Sequence, residues 1–158
     1  MAEFVMKQMI RDEHERLEKS GLHVTDFEIA SAATSTEEIG NPVYPPAKRM
    51  LASHGIDCNG KTARQMTVRD YEYYDYIVLM DRNNLRNLRW ILPASILESE
   101  GLGRDPRNQR KISLLMDYTS HPRDVADPWY TGDFTATWND VNEGCHGLLN
   151  EILASKLQ

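Results

Sequence analysis

The sequence predicts an α/β protein of three layers, in which a doubly wound parallel sheet lies between two layers of helices. Short apolar segments alternate with segments of helical periodicity, in the order α-β-α-β-α-β-α. Residues 76–80 are a compact apolar run bounded by aspartates, which is typical of a parallel strand buried on both faces. Residues 134–152 keep helical apolar spacing and predict the last helix. Gly144 and Gly147 lower helix propensity there by about 1 kcal/mol each relative to alanine, so we expect close backbone packing around them.

The other elements follow from similar patterns. Residues 1–19 predict an amphipathic helix. Residues 24–31 predict a strand, because Phe27 and Ile29 alternate with acidic side chains. Further along, the patterns predict helices at 46–54 and 83–92, a strand at 111–116, a polar loop or insertion at 94–110 and a long loop at 117–133.

Composition predicts a single domain over residues 1–158, because a chain of this length with 41% apolar residues can bury one ordinary core. The net charge of −6 argues against a nucleic-acid partner. The two cysteines, Cys58 and Cys145, form no disulfide framework, and the five histidines show no metal-ligand spacing. No apolar run approaches the roughly 20 residues that span a bilayer, and the first residues do not resemble a signal peptide. We therefore expect a cytoplasmic protein with no membrane partner.

Short motifs occur over nearly the whole chain: MAE at 1–3, SAATS at 31–35, GNP at 40–42, ARQ at 63–65, YIVLMD at 76–81, NLR at 84–86, DPWY at 127–130 and EGC at 143–145. In this order they resemble the low-molecular-weight protein tyrosine phosphatase family. The Asp-Pro-aromatic-Tyr motif is the most specific of them.

The resemblance implies a phosphotyrosine phosphatase I fold, and hydrolysis of a phosphotyrosine protein or a small aryl phosphate without a cofactor or metal. In this family a cysteine thiolate attacks phosphorus and forms a cysteinyl-phosphate intermediate. An arginine at the end of the same C-x5-R loop holds two phosphate oxygens. An aspartic acid protonates the leaving tyrosyl oxygen and then, as a base, activates the water that releases phosphate.

Asp127 matches the family's general acid, and Trp129 and Tyr130 occupy the aromatic positions that line its cleft. These are the catalytic and substrate-binding residues that the resemblance implies. The alternative for Asp127-Pro128 is a simple turn start, and the alternative for the two aromatic residues is packing of a loop on the core.

The resemblance also assigns roles around the cleft. Ser31 would bond to and orient the phosphate-binding loop, although it could equally be a hydrogen-bonded serine at a strand end. Glu37 and Glu38 fall at the rim, where they would disfavour an acidic phosphopeptide, or where they could belong to a solvated loop. Lys61 replaces a histidine that supports the loop in some relatives, which puts that network in doubt.

The family's nucleophile loop, with the strand before it, is expected to be missing from this chain. In the family the loop directly precedes the position of Met1. The segment from Cys58 to Arg64 fits C-x5-R by count. We reject it as a substitute, because a helix and not a strand is predicted before Cys58, and Gln65 replaces the expected serine or threonine. Cys145 lies on the buried face of the last helix and is expected to be a core residue.

Three hypotheses follow. The chain could be an N-terminally shortened phosphatase, a pseudophosphatase that binds or regulates without chemistry, or a relative of the arsenate reductases that share this fold. The last is disfavoured, because those enzymes need further cysteines. We favour the shortened phosphatase, and expect residues 1–158 alone to be inactive. Loss of a central strand would expose unpaired sheet edges, so a homodimer near the N-terminus is also expected.

Overall fold

The computed structural model describes residues 1–101 and 111–156 of the chain. Within these residues the sheet has two parallel strands, β1 (Ile77–Leu79) and β2 (Ile112–Leu114), paired in register from their first residues. Both lie inside the segments predicted as strands, where short runs of branched apolar residues favour extended backbone.

Side chains of β1 alternate between two apolar clusters. Ile77 and Leu79 are buried in one cluster, while Val78 and Met80 pack against the other. Each face of the sheet is therefore covered, which confirms the three-layer α/β fold predicted from the sequence.

The first helical layer packs on the face of Val78. Its largest member is the last helix of the chain, which buries Val141, Cys145 and Leu149 as the apolar spacing predicted. The helices of this layer are α1 (Ala2–Asp12), α2 (His14–Lys19), α3 (Pro45–Ser53) and α8 (Phe134–Lys156).

The second layer covers the opposite face with shorter helices. These are α4 (Val68–Tyr73), α5 (Arg82–Asn87) with the 3₁₀ turn Leu88–Trp90, and α6 (Ala94–Ser99). The fully buried Glu100 ties α6 to the start of β2, because its carboxylate accepts bonds from the backbone N–H groups of Lys111 and Ile112 at 3.2 and 3.1 Å, and from the Tyr71 hydroxyl.

Close packing explains the two glycines inside α8. A Cβ on Gly144 would lie 2.5 Å from Cγ of Leu115, and a Cβ on Gly147 would overlap the backbone carbonyl of Tyr118. Both neighbours belong to the 3₁₀ turn Leu115–Tyr118. The helix can approach this turn only where side chains are absent, as the sequence predicted.

The strand predicted at 24–31 is wrong. Its first residues form the 3₁₀ turn Val24–Asp26, in which the Asp26 carboxylate accepts a bond from the His23 N–H at 2.8 Å. Phe27 and Ile29 are half-buried against the first cluster, as the alternation suggested. Among the described residues, however, no neighbouring strand pairs with this segment, and the first bridge of the region joins Ala33 to Gln65.

Other boundaries differ because local backbone geometry interrupts the predicted segments. The helix predicted at 1–19 is divided at Glu13, and the helix at 83–92 becomes α5 and its 3₁₀ turn. The loop at 94–110 begins with α6, since Ile96 and Leu97 pack on the second cluster; residues 102–110 lie outside the described part. The long loop contains a further helix, α7 (Pro128–Thr131).

No helix within the described ranges is both long and apolar enough to cross a membrane. Across 1–101 and 111–156, no group of three or more histidine, cysteine, aspartate or glutamate side chains is arranged to hold a metal ion.

Candidate active site

A buried carboxylate lies in the first turn of α1. Oε1 of Glu3 accepts bonds of 2.8 Å from Ser31 Oγ and from Lys61 Nζ, and Oε2 accepts a bond of 3.0 Å from Lys7 Nζ. Burial favours the neutral acid, but the bonds from the two lysines and the serine outweigh it and lower the pKa of Glu3 from 4.5 to about 2. The Glu3 anion therefore joins three separate segments of the chain.

Lys61 completes this polar network. Its ammonium also donates to the Ser31 carbonyl oxygen at 3.1 Å, so it holds both the serine and the glutamate. From the sequence, the replacement of a histidine by Lys61 put a polar network in doubt at this position. In the structure Lys61 does take part in a polar network. Glu3 was not identified from the sequence as a residue of this network. Its spacing from Lys7 indicates an ordinary i,i+4 surface pair and gives no sign of burial.

Thr34, three residues after Ser31, is hydrogen-bonded to residues that follow the carboxyl end of β1. The Thr34 hydroxyl accepts bonds from the side-chain amides of Asn84 and Asn87, at 3.5 and 3.3 Å. Asn84 in turn accepts a bond from the Met80 N–H, directly after β1, at 3.1 Å. Three residues span at most about 11 Å, so the Glu3 network lies close to this end of the sheet, where open α/β proteins bind ligands.

The loop that carries Asp127 is attached to the same end of β1. The Val125 N–H donates to the Met80 carbonyl at 2.9 Å, and the Ala126 N–H donates to the Asp140 carboxylate on α8 at 3.0 Å. The half-buried Asp127 directly precedes α7, and its carbonyl accepts bonds from the N–H groups of Tyr130 and Thr131, both at 3.1 Å. The predicted acid therefore lies two residues after a backbone bond to the sheet.

The other predicted substrate residues lie on exposed segments. Tyr130 in α7 is 88% exposed, so its ring is not a core anchor. Glu37 and Glu38 are exposed, and Glu38 accepts a bond from the Asn41 amide at 2.7 Å. The backbone of Trp129 belongs to α7, but its side chain lies outside the described part of the protein.

Cys58 is packed in the apolar core, and Arg64 is bound to a carboxylate. Cys58 follows α3 and is 3% exposed in the first apolar cluster. The Arg64 guanidinium is engaged at the start of α4, where its two terminal nitrogens donate to the Asp70 carboxylate at 2.8 and 3.0 Å. That pairing lowers the pKa of Asp70. Cys145 is also buried, which raises the pKa of its thiol to about 12 and disfavours the thiolate.

Comparison with known proteins identifies the family. The family model described as low molecular weight phosphotyrosine protein phosphatase matches residues 1–158. The chain belongs to this family. It is 34% identical over 128 residues to the low molecular weight protein-tyrosine-phosphatase YfkJ of Bacillus subtilis, a match that covers 80% of this chain and 74% of that protein. It is 25% identical over 154 residues to the phosphatase PtpA of Staphylococcus aureus, covering 97% of this chain and 84% of PtpA.

Solved structures show the same fold. The crystal structure of YfkJ from Bacillus subtilis matches with a TM-score of 0.78 and 30% identity, over 99% of this chain and 87% of that one. The low molecular weight protein tyrosine phosphatase SP-PTP from Streptococcus pyogenes matches with a TM-score of 0.68 and 32% identity, over 96% and 82%. Family membership and these relatives indicate protein-tyrosine phosphatase activity.

Proposed function

We propose that this protein hydrolyses phosphotyrosine in the cytoplasm, with Asp127 as the general acid and then the general base. The observation that carries the proposal is the attachment of the Asp127 loop to the carboxyl end of β1 through Val125. In the first step a cysteine thiolate, supplied by a loop ahead of Met1, forms a bond to phosphorus as the phosphorus–oxygen bond breaks, and Asp127 gives its proton to the leaving tyrosyl oxygen. In the second step it removes a proton from the water that attacks the phospho-enzyme.

The surrounding residues would bind the substrate and support the site. We assign Trp129 and Tyr130 to the cleft wall; the exposure of Tyr130 leaves its ring available to contact the substrate's aromatic ring. Glu37 and Glu38 form one rim and repel acidic substrate residues on that side. Ser31 acts as a support for the phosphate-binding loop, an assignment favoured by its hydrogen bond to the anion at the start of α1.

We further propose that residues 1–158 contain no cysteine that can act as the nucleophile. Both cysteines are buried, and the arginine that completes C-x5-R is bound to Asp70. A strand and loop joined ahead of Met1 would supply the thiolate. Two features support a docking place for that strand: Phe27 has extended backbone angles without a strand partner, and one edge of β1 has no strand neighbour among the described residues.

Aryl phosphate hydrolysis by the purified 158-residue chain tests this directly. We expect turnover at background in the chain and in its Cys58→Ser variant alike. Enzyme-like turnover that Cys58→Ser abolishes would overturn the assignment. Genomic DNA upstream of the Met1 codon distinguishes the two remaining hypotheses. An in-frame strand and C-x5-R-S-P loop supports the phosphatase, whereas a stop codon directly upstream supports a pseudophosphatase that binds without chemistry.

We also propose that residues 1–158 form a homodimer, because the second edge of β1 presents backbone donors and acceptors. Size-exclusion chromatography with light scattering measures this. A dimer that dissociates on dilution is expected, and a monomer at all concentrations would contradict it.

A further inference from the structure

A stripe of arginines lies on the exposed face of the α5 segment. Arg82, Arg86 and Arg89 follow each other at i, i+4 and i+7, so they lie on one side of the helix and its 3₁₀ turn. All three are exposed, as is the adjacent Trp90, which is 75% exposed and lies under the Arg89 guanidinium at 4.8 Å. Such a stripe is unexpected in a chain whose net charge is −6.

The positive charge of this stripe is only partly neutralised. Asp124 pairs with Arg82 at 3.4 Å. Arg86 bonds to the neutral Asn83 side chain, and Arg89 contacts an indole ring. Within the described ranges, neither Arg86 nor Arg89 has a carboxylate at salt-bridge distance. The stripe therefore carries excess positive charge on solvated side chains.

The stripe also borders the proposed catalytic loop. Arg82, Arg86 and Asp124, with Leu85, line an open depression of about 460 Å³. The Asp124 carboxylate accepts a bond from the Arg82 N–H at 3.1 Å and lies three residues before Asp127. Three residues span at most about 11 Å, so a peptide bound along the stripe would pass close to the acid.

We propose that the stripe formed by Arg82, Arg86 and Arg89 docks a short acidic segment of the protein substrate, beside its phosphotyrosine. This rests on the proposed function for the phosphotyrosine, but the docking step itself needs no catalysis. The three guanidinium groups cover about 11 Å of helix. That length matches three or four residues of an extended peptide at about 3.3 Å each. Guanidinium groups bind carboxylates in bidentate geometry, and a flanking tryptophan adds apolar contact.

The segment packed on the opposite face of α5 determines on which side of the phosphotyrosine the acidic residues of the peptide can lie. Asn84 and Asn87 hold Thr34 there, and this segment continues to the acidic rim of Glu37 and Glu38. An acidic segment is repelled from that rim and attracted to the arginine face. The acidic residues of the substrate are therefore expected on one side of the phosphotyrosine only.

Binding to the 158-residue chain tests the proposal without requiring turnover. The probe is a fluorescein-labelled, unphosphorylated peptide with four consecutive glutamates beside a tyrosine, measured by fluorescence anisotropy. Arg86→Glu/Arg89→Glu is expected to weaken its binding about tenfold, since two favourable charge contacts become repulsive. The matched control is Lys48→Glu/Arg49→Glu on α3, in the other helical layer, which changes the net charge equally and should alter affinity less than about twofold.

Circular dichroism establishes that both variants are folded, and Arg86→Gln/Arg89→Gln provides a milder second variant expected to give an intermediate loss. A glutamine version of the peptide should bind no better to the parent chain than to the arginine variants. Equal losses in the α3 control, or no loss in either arginine variant, would overturn the proposal. Arginine-dependent binding of a single-stranded oligonucleotide in place of the peptide would also overturn it. If the peptide binds as expected while the chain fused, ahead of Met1, to a strand and C-x5-R-S-P loop lacks phosphatase activity, docking stands and the proposed function fails.

Discussion

Replacement of Glu3 by glutamine should destabilise the protein by about 3 kcal/mol at neutral pH. The carboxylate is almost fully buried, with a side-chain exposure of 4%, and accepts bonds from two lysines and a serine. Its pKa falls from 4.5 to about 2 on folding, and each pKa unit corresponds to about 1.36 kcal/mol. Glutamine keeps the shape but not the charge, so Lys61 would remain half-buried without its anion.

The effect has a characteristic pH dependence. Because folding lowers this pKa, the stabilisation is fully present above about pH 4.5 and is lost as the pH falls towards 2. The difference between the parent and Glu3→Gln should shrink from about 3 kcal/mol at pH 7 to about 1.4 kcal/mol at pH 3. Urea unfolding followed by circular dichroism across this range measures it, since other carboxyl groups titrate equally in both proteins.

Glu13→Gln is the matched control, because the Glu13–Arg16 pair is more exposed and its members are only three residues apart in sequence. It should cost less than about 1 kcal/mol at every pH. A Glu3→Gln difference that stays constant with pH, or that is no larger than the control, would refute the role assigned to the network.

Further stability measurements test the packing. Gly147→Ala should cost about 3 kcal/mol or more, because the new methyl group overlaps the Tyr118 carbonyl, whereas Gly144→Ala meets the Leu115 side chain rather than backbone and should cost less, about 1–2 kcal/mol. Equal effects in urea unfolding would contradict this difference. Glu100→Ala should cost about 3 kcal/mol, since it leaves buried N–H donors unpaired, and Tyr71→Phe about 1 kcal/mol. A loss below about 1 kcal/mol for Glu100→Ala would show that water replaces the carboxylate.

Local sequence patterns were sufficient for β1 and the last helix. β1 is an apolar run between aspartates, and α8 repeats its apolar positions over several turns, so neighbours in sequence carry the signal. Residues 24–31 show the limit of such reasoning. Their alternating burial was predicted correctly, but a strand also requires a pairing partner, which no local pattern can supply.

In the candidate site, too, features carried by a continuous motif could be predicted from the sequence, and features that depend on distant residues could not. Asp127 could be proposed as the general acid because its motif is continuous in sequence. The Glu3 network could not, since its partners Ser31 and Lys61 lie 28 and 58 residues away and only folding brings them together. The arginine stripe of α5 was not singled out from the sequence, and its meaning depends on Asp124, 42 residues after Arg82.

The most direct test of the account is the activity of the 158-residue chain fused, ahead of Met1, to a strand and C-x5-R-S-P loop from a relative. We expect the fusion to hydrolyse an aryl phosphate and its Asp127→Asn variant to lose about 10²–10⁴-fold in kcat. A fusion that is active but indifferent to Asp127→Asn would contradict the central assignment of the proton donor.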